Sequence, residues 1–192
     1  MTLANKRIGF ALTGSFCTFE TALKCIEDIL KEGALVTGIL SHAVDTTDTR
    51  FMAAEALKAS LADLTSNPII RTIVEAEPIG PQALFDLLIV LPATGNTLAK
   101  LTAGITDTPV TMAVKSHLRN NRPVILAIST NDALGNNAKN IGQLLNMKNI
   151  YFVPFGQDDP MKKPKSMVFL KDKVISTIEE ALEGRQLQPL LG

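Results

Sequence analysis

Residues 86–100 read Asp-Leu-Leu-Ile-Val-Leu-Pro-Ala-Thr-Gly-Asn-Thr-Leu-Ala-Lys. An unbroken apolar run stops at Pro92 and opens into small polar residues. It is too short, and too closely flanked by breakers, to span a membrane. With Leu, Ile and Val at consecutive positions it suits a strand buried on both faces, in the middle of a parallel sheet. The segment after it, Pro92-Ala93-Thr94-Gly95-Asn96-Thr97, brings hydroxyls, a carboxamide and backbone amides to the point where a helix begins. That is the chemistry of a ligand held at the carboxyl end of a strand.

Strand-like and helix-like stretches alternate outward from this centre. On the N-terminal side, Ile8 to Leu12 predicts a strand and Thr13-Gly14-Ser15-Phe16-Cys17-Thr18 the turn into a helix. Phe19, Ala22, Leu23, Ile26, Ile29 and Leu30 share one face of that helix, and Gly33 ends it. Leu35 to Leu40 is a second strand, closing in Ser41-His42. Phe51 to Leu64 reads as a helix, Ile69 to Val74 as a short strand and Glu75 to Pro81 as irregular. On the C-terminal side, a short helix runs to Ala103. Thr108 caps a further helix with Pro109 in its first position, and that helix continues to Arg119. Val124 to Ile128 predicts a strand ending in Ser129-Thr130-Asn131, Asn136 to Met147 a helix, Ile150 to Val153 a last strand and Val174 to Leu182 a last helix. Residues 154–164 read as an extended loop and 185–192 as a tail. This pattern predicts a three-layer α/β/α architecture, flavodoxin-like or Rossmann-like, with a parallel sheet and right-handed crossovers. The 192 residues, 46% of them hydrophobic, fit a single domain.

Nineteen basic residues balance nineteen acidic ones, so no net field gathers nucleic acid or anionic lipid, and neither is expected as a partner. The N-terminus lacks the long apolar core of a secretory signal, which points to the cytoplasm. Cys17 and Cys25 stand about 12 Å apart along a predicted helix, beyond disulfide reach. Both are expected as free thiols, Cys25 in the core and Cys17 near a helix N-terminus. No metal site is assigned. His117 is expected on a helix surface.

The strand endings Thr13-Gly14-Ser15, Ser41-His42, Thr94-Gly95-Asn96-Thr97 and Ser129-Thr130-Asn131 converge on one edge of such a sheet. A phosphate there is held by backbone amides at a helix N-terminus and by hydroxyls, a description met by Gly14-Ser15 with Phe16 and Thr18. A dinucleotide site normally shows G-x-G-x-x-G after the first strand and an acid at the end of the second. Neither is present, so a mononucleotide with one terminal phosphate, such as FMN, fits better than NAD. Its ring is expected along Pro92 to Thr97. Asn96 and His42 are the candidate catalytic side chains, and Arg50 is a candidate clamp for a substrate carboxylate.

These segments resemble the flavoprotein family that includes the homo-oligomeric flavin-containing cysteine decarboxylases, whose central motif reads Pro-Ala-Ser-Ala-Asn-Thr. Nearly the whole chain is similar to the family of dipicolinate synthase B subunits. The specific stretches are Thr47 to Phe51, Ile73 to Pro81, Gly104 to Pro109 and Tyr151 to Pro160. That resemblance implies oxidation of dihydrodipicolinate to dipicolinate, a small dicarboxylate stored in spores. It also implies a homo-oligomer, the A subunit of dipicolinate synthase as a partner carrying NADP, and a place in the mother cell of a sporulating bacterium. Two departures bear on the chemistry. Where the decarboxylases carry Pro-x-Met-Asn this chain has Ser129-Thr130-Asn131, so only Asn131 is carried over. Their catalytic histidine also has no counterpart in Thr46 to Ala59. Cysteine decarboxylation is therefore disfavoured. The alternatives are an FMN-dependent decarboxylase or transferase on the same scaffold, and a non-catalytic regulatory role within the synthase.

Overall fold

The computed structural model describes residues 2–192. In chain order the elements are β1 (Arg7–Leu12), α1 (Phe19–Lys31), β2 (Leu35–Leu40), α2 (His42–Thr46), α3 (Ala54–Thr65), α4 (Ile73–Ala76), β3 (Leu87–Ala93), α5 (Gly95–Thr102), α6 (Pro109–Leu118), β4 (Val124–Thr130), α7 (Ala138–Leu145), β5 (Ile150–Phe152), β6 (Phe155–Gln157), β7 (Met167–Phe169) and α8 (Val174–Leu182). The seven-stranded sheet runs β2-β1-β3-β4-β7-β6, with β5 also paired to β4. β1 to β5 are parallel, while β7 is antiparallel to β4 and to β6. The expected flavodoxin-like α/β fold is therefore present, with an antiparallel hairpin added to it.

All seven residues of β3 are buried, and alternate side chains enter two separate cores. Leu87, Ile89 and Leu91 join the layer under α1, α3 and α8. Leu88, Val90 and Ala93 join the layer with Val110, Val114 and Ile141 from α6 and α7. Each of these Leu, Ile and Val side chains taken from water contributes about 1.5–3 kcal/mol, which is why this stretch sits at the centre of the sheet. The strand runs through Pro92 to Ala93, beyond the expected stop, and its register with β4 shifts between Val90 and Ala93. At its other end Asp86 accepts from the Arg7 backbone amide and from Arg7 Nη2, both at 2.9 Å. This aligns the starts of β1 and β3.

Local signals set the helix ends. Gly33 takes φ +85°, a conformation that favours glycine, and closes α1. Thr108 and Thr111 form a capping box with Pro109 in the first turn of α6.

Several expectations are corrected. Residues 69–74 are not a strand: Ile70 makes a single bridge to Ile39, and α4 begins at Ile73. A capping box drives that change, since Thr72 accepts from the Glu75 amide and Glu75 accepts from the Thr72 amide. The helix expected from Phe51 starts at Ala54, where Asp48 Oδ1 accepts from the Ala54 amide at 2.9 Å. Within 154–164, residues 155–157 are β6 rather than loop. His117 is fully buried rather than on the surface.

Each outer margin of the sheet is covered. Beside β2, the Ile70 amide donates to Gly38 O and the Leu40 amide to Ile70 O. Beside β5, the Gln186 carboxamide accepts from the Phe152 amide and donates to Phe152 O, both at 2.8 Å. Beside β6, Phe155 N donates to Leu190 O and Gly192 N to Phe155 O.

Candidate functional site

The strand order reverses between β1 and β3, where crossovers leave to opposite sides and a crevice opens at the strands' carboxyl ends. The four polar endings meet there. Two clefts flank the crevice and share Gly14 and Thr94 as their common wall.

The cleft beside α2 encloses about 390 Å³ and is lined by Thr13, Phe16, Ser41, His42, Asn96, Thr97, Lys100 and Thr111 among others. Ser41 is the N-cap of α2, yet its side chain makes no capping bond. Its Oγ is buried without any hydrogen-bond partner. A buried hydroxyl left so costs about 1–3 kcal/mol. A ligand oxygen would remove that cost. His42 begins α2 and is exposed, so it belongs to a short helix rather than to a strand-end loop. α2 is held by Asp45, which accepts from Arg71 Nε at 2.7 Å and Nη2 at 3.1 Å. Lys100 pairs with both oxygens of Asp107 at 2.8 and 2.9 Å.

The cleft beside β7 encloses about 470 Å³. Ser15, Ser129, Asn131, Asp158, Lys163 and Ser166 line it, together with Cys17, Thr18, Thr130 and Asp132. Ser15 Oγ and Ser129 Oγ lie 2.8 Å apart and join the ends of β1 and β4. Thr130 Oγ1 donates to Asp132 Oδ1 at 2.6 Å, and Asn137 Nδ2 to Asp132 Oδ2 at 2.7 Å.

The common wall is a hydroxyl relay. Thr13 Oγ1 donates to Pro92 O at 2.7 Å and accepts from the Thr94 amide at 3.1 Å. Thr94 Oγ1 lies 3.0 Å from Thr97 Oγ1 and caps α5. Such a chain fixes hydroxyl positions before any ligand arrives.

The structure brings most of the expected residues together and sets some apart. Pro92, Ala93 and Gly95 are buried beneath the clefts and line neither. Thr18 lines the β7-side cleft, but its hydroxyl donates to Ser15 O at 2.6 Å. Arg50 lines neither cleft; it is exposed and stacks on the Phe51 ring, 4.8 Å from its centroid. Asp132, Asp158, Lys163 and Ser166 went unread in the sequence, because only the β6–β7 hairpin and the turn after β4 carry them to the rim. Cys17 and Cys25 are both free, Cys17 exposed and Cys25 buried. Burial pushes the Cys25 thiol up to about 11. Among the described residues no three metal-ligating side chains group together, and no helix is long and apolar enough to cross a membrane.

A family model described as Flavoprotein matches residues 1–182. The chain belongs to the Flavoprotein family. Within that family it is 50% identical over 190 residues to the B subunit of dipicolinate synthase from Bacillus subtilis (strain 168), covering 99% of this chain and 95% of that one. The crystal structure of the dipicolinate synthase B subunit from Bacillus halodurans C superposes with a TM-score of 0.92 at 45% identity, covering 100% of this chain and 98% of that one. The FMN-dependent cysteine decarboxylase SpaF shares the fold at a TM-score of 0.62 and 18% identity, over 95% of this chain and 98% of that one.

Proposed function

We propose that this chain is the B subunit of a dipicolinate synthase, an oxidoreductase that converts dihydrodipicolinate to dipicolinate, and that it binds flavin mononucleotide at the sheet's rim. The observation that carries the flavin reading is the partnerless Ser41 hydroxyl in a cleft that also offers threonine hydroxyls, the Asn96 carboxamide, His42, Lys100 and the first turn of α5, beside the apolar Phe16 ring. That donor set fits a phosphate monoester. Ser41, His42, Asn96 and Thr97 would hold the phosphate end, with Gly14 and Thr94 carrying the ligand across the common wall. A phosphate at Ser41 lies apart from the Gly14-Ser15-Thr18 cradle expected from sequence, where the Thr18 hydroxyl already donates to Ser15 O. Bound flavin supplies a two-electron acceptor.

Loss of a hydride and a proton from a dihydropyridine is driven by aromatisation. The chain's own residues therefore need to orient the ring and hold its carboxylates rather than supply strong acids or bases. Asn131 and the Ser15–Ser129 pair face the space where such a ring would sit. The reading includes the synthase's A subunit as a partner carrying NADP, and a place in the mother cell of a sporulating bacterium. It also includes a homo-oligomer, supported by exposed Ile105 and Met147 beside an apolar groove with Leu101, Val114 and Leu118.

The test is the visible spectrum of the purified chain after incubation with FMN. Flavin bands near one per chain are expected. Ser41→Ala should weaken FMN about tenfold while leaving the ligand-free melting temperature unchanged or raised, because it removes an unsatisfied buried group. Asn96→Ala should likewise lower FMN affinity. A chain that takes up no flavin yet stimulates the A subunit would establish the regulatory alternative instead.

A further inference from the structure

The β7-side cleft holds an ion pair that the hairpin does not need for its shape. Lys163 Nζ lies 2.8 Å from Asp158 Oδ2. Their side chains are 53% and 36% exposed, so the contact is half in water and contributes little to folding. Backbone bonds hold the same segment without it. The Lys163 amide donates to Asp159 O at 2.7 Å, the Ser166 amide to Lys163 O at 2.9 Å, and the Leu134 amide to Lys165 O at 3.0 Å. Among the described residues lining this cleft, Lys163 is the one cation. The remaining charge there is Asp132, whose two oxygens are taken by Thr130 and Asn137. Around Lys163 stand the groups that bind a carboxylate: Ser166 Oγ, 3.4 Å from Asp158 Oδ2 and 3.3 Å from Asn131 Oδ1, and beyond it the Ser15–Ser129 pair.

We infer that Lys163 is the counter-ion for one carboxylate of a small ring dicarboxylate, the dihydropyridine substrate or its pyridine product, and that Asp158 holds its place until the ligand displaces it. Asp158 thus acts as an internal stand-in carboxylate, bonded to the same ammonium and the same hydroxyl the ligand requires. The pair is weak enough to exchange, so Lys163 sets specificity for the second carboxylate and Asp158 holds the affinity down. The inference rests on the dipicolinate synthase reading for its choice of substrate class, and it names residues on the hairpin that the flavin does not use.

Calorimetric titration of pyridine-2,6-dicarboxylate into the full chain, with and without saturating FMN, tests it. Lys163→Met should weaken the dicarboxylate about tenfold and abolish the preference over pyridine-2-carboxylate. Lys163→Arg should stay within about twofold of wild type, while Asp158→Asn should tighten binding about threefold. FMN affinity should be the same in all three variants. A hairpin pinned by the pair would respond with the opposite sign at Asp158, so weaker binding by both Asp158→Asn and Lys163→Met, or no change in either, overturns the inference. Dicarboxylate binding with these signs but without flavin uptake would keep it and remove the flavin reading. Flavin uptake without dicarboxylate binding would do the reverse.

Discussion

Gly95→Ala is expected to lower the unfolding free energy by about 2 kcal/mol and to cost more than tenfold in ligand affinity. A Cβ at this position would stand 2.4 Å from Asn137 Nδ2 and 2.8 Å from both Asp132 Oδ1 and Thr130 Oγ1. Those atoms are not free to yield. Thr130 and Asn137 both donate to Asp132, Asn140 Nδ2 donates to Asn137 Oδ1 at 2.7 Å, and Thr102 Oγ1 donates to Asn140 Oδ1 at 3.1 Å. Asn137 and Asn140 are buried, so shifting them strands polar groups away from water. The network joins β4, α7 and α5 along the β7-side cleft, which Thr130 and Asp132 line, and displacing Gly95 moves the first turn of α5 that borders the α2-side cleft through Asn96 and Thr97. Gly142→Ala is the matched control, since nothing lies within 4 Å of its added Cβ. Inside α7 it should stabilise by roughly 0.5–1 kcal/mol. Thermal melts and FMN titrations of the two variants check the pair of outcomes; a Gly95→Ala protein that melts with wild type would show that the network bends at no cost.

The second large effect is a loss of stability in mild acid. His117 on α6 is fully buried, and neither ring nitrogen makes a hydrogen bond of ordinary geometry, the Pro123 carbonyl lying at its margin. Burial and the nearby Arg122 guanidinium hold its pKa down from 6.5 to about 4, against opposing contributions from the Pro123 backbone and Asp86. The folded state therefore keeps the neutral ring, while the unfolded chain takes up its proton first as the pH falls. Stability is full above pH 6.5 and declines towards pH 4, by about 3 kcal/mol at most. Asp86, held below the ordinary carboxylate range chiefly by Arg7, adds its own loss only at lower pH, so the two steps separate. Urea unfolding at pH 7.5, 5.5 and 4.5 should show the decline, and His117→Leu should flatten it. A wild-type midpoint unchanged between pH 7.5 and 5 would mean that the imidazole finds a proton acceptor in the fold.

The central strand, the parallel order and the convergence of four polar endings were legible because each is written locally. Apolar runs between turn residues decide strands, and crossover handedness puts their ends on one side. What stayed hidden was set by tertiary pairing or by a local signal masked by a stronger one. Ile73-Val74 invited a strand, yet Thr72-x-x-Glu75 was a capping box in plain view. β6 and β7 are each three residues long, too short for alternation to show. With them went Asp158, Lys163 and Ser166. The charged neighbours Lys115 and Arg119 point His117 to the surface, and only the packing of α6 against the segment at Gly80 shows which way that face turns. A Cβ at Gly80 would stand 2.5 Å from Ser116 O. Arg50 had the right chemistry for a carboxylate clamp, but the chain after α2 carries it out to Phe51.

Every border of the sheet is sealed by something other than a long strand: Ile70, the Gln186 carboxamide and residues 190–192. An open border is a template on which a second chain can add hydrogen-bonded strands, and proteins that keep one risk uncontrolled fibre-like growth. Here that route is shut in three places. Any higher-order assembly must therefore grow through side-chain surfaces of the helices or through the rim, where its stoichiometry is set by shape rather than by backbone pairing.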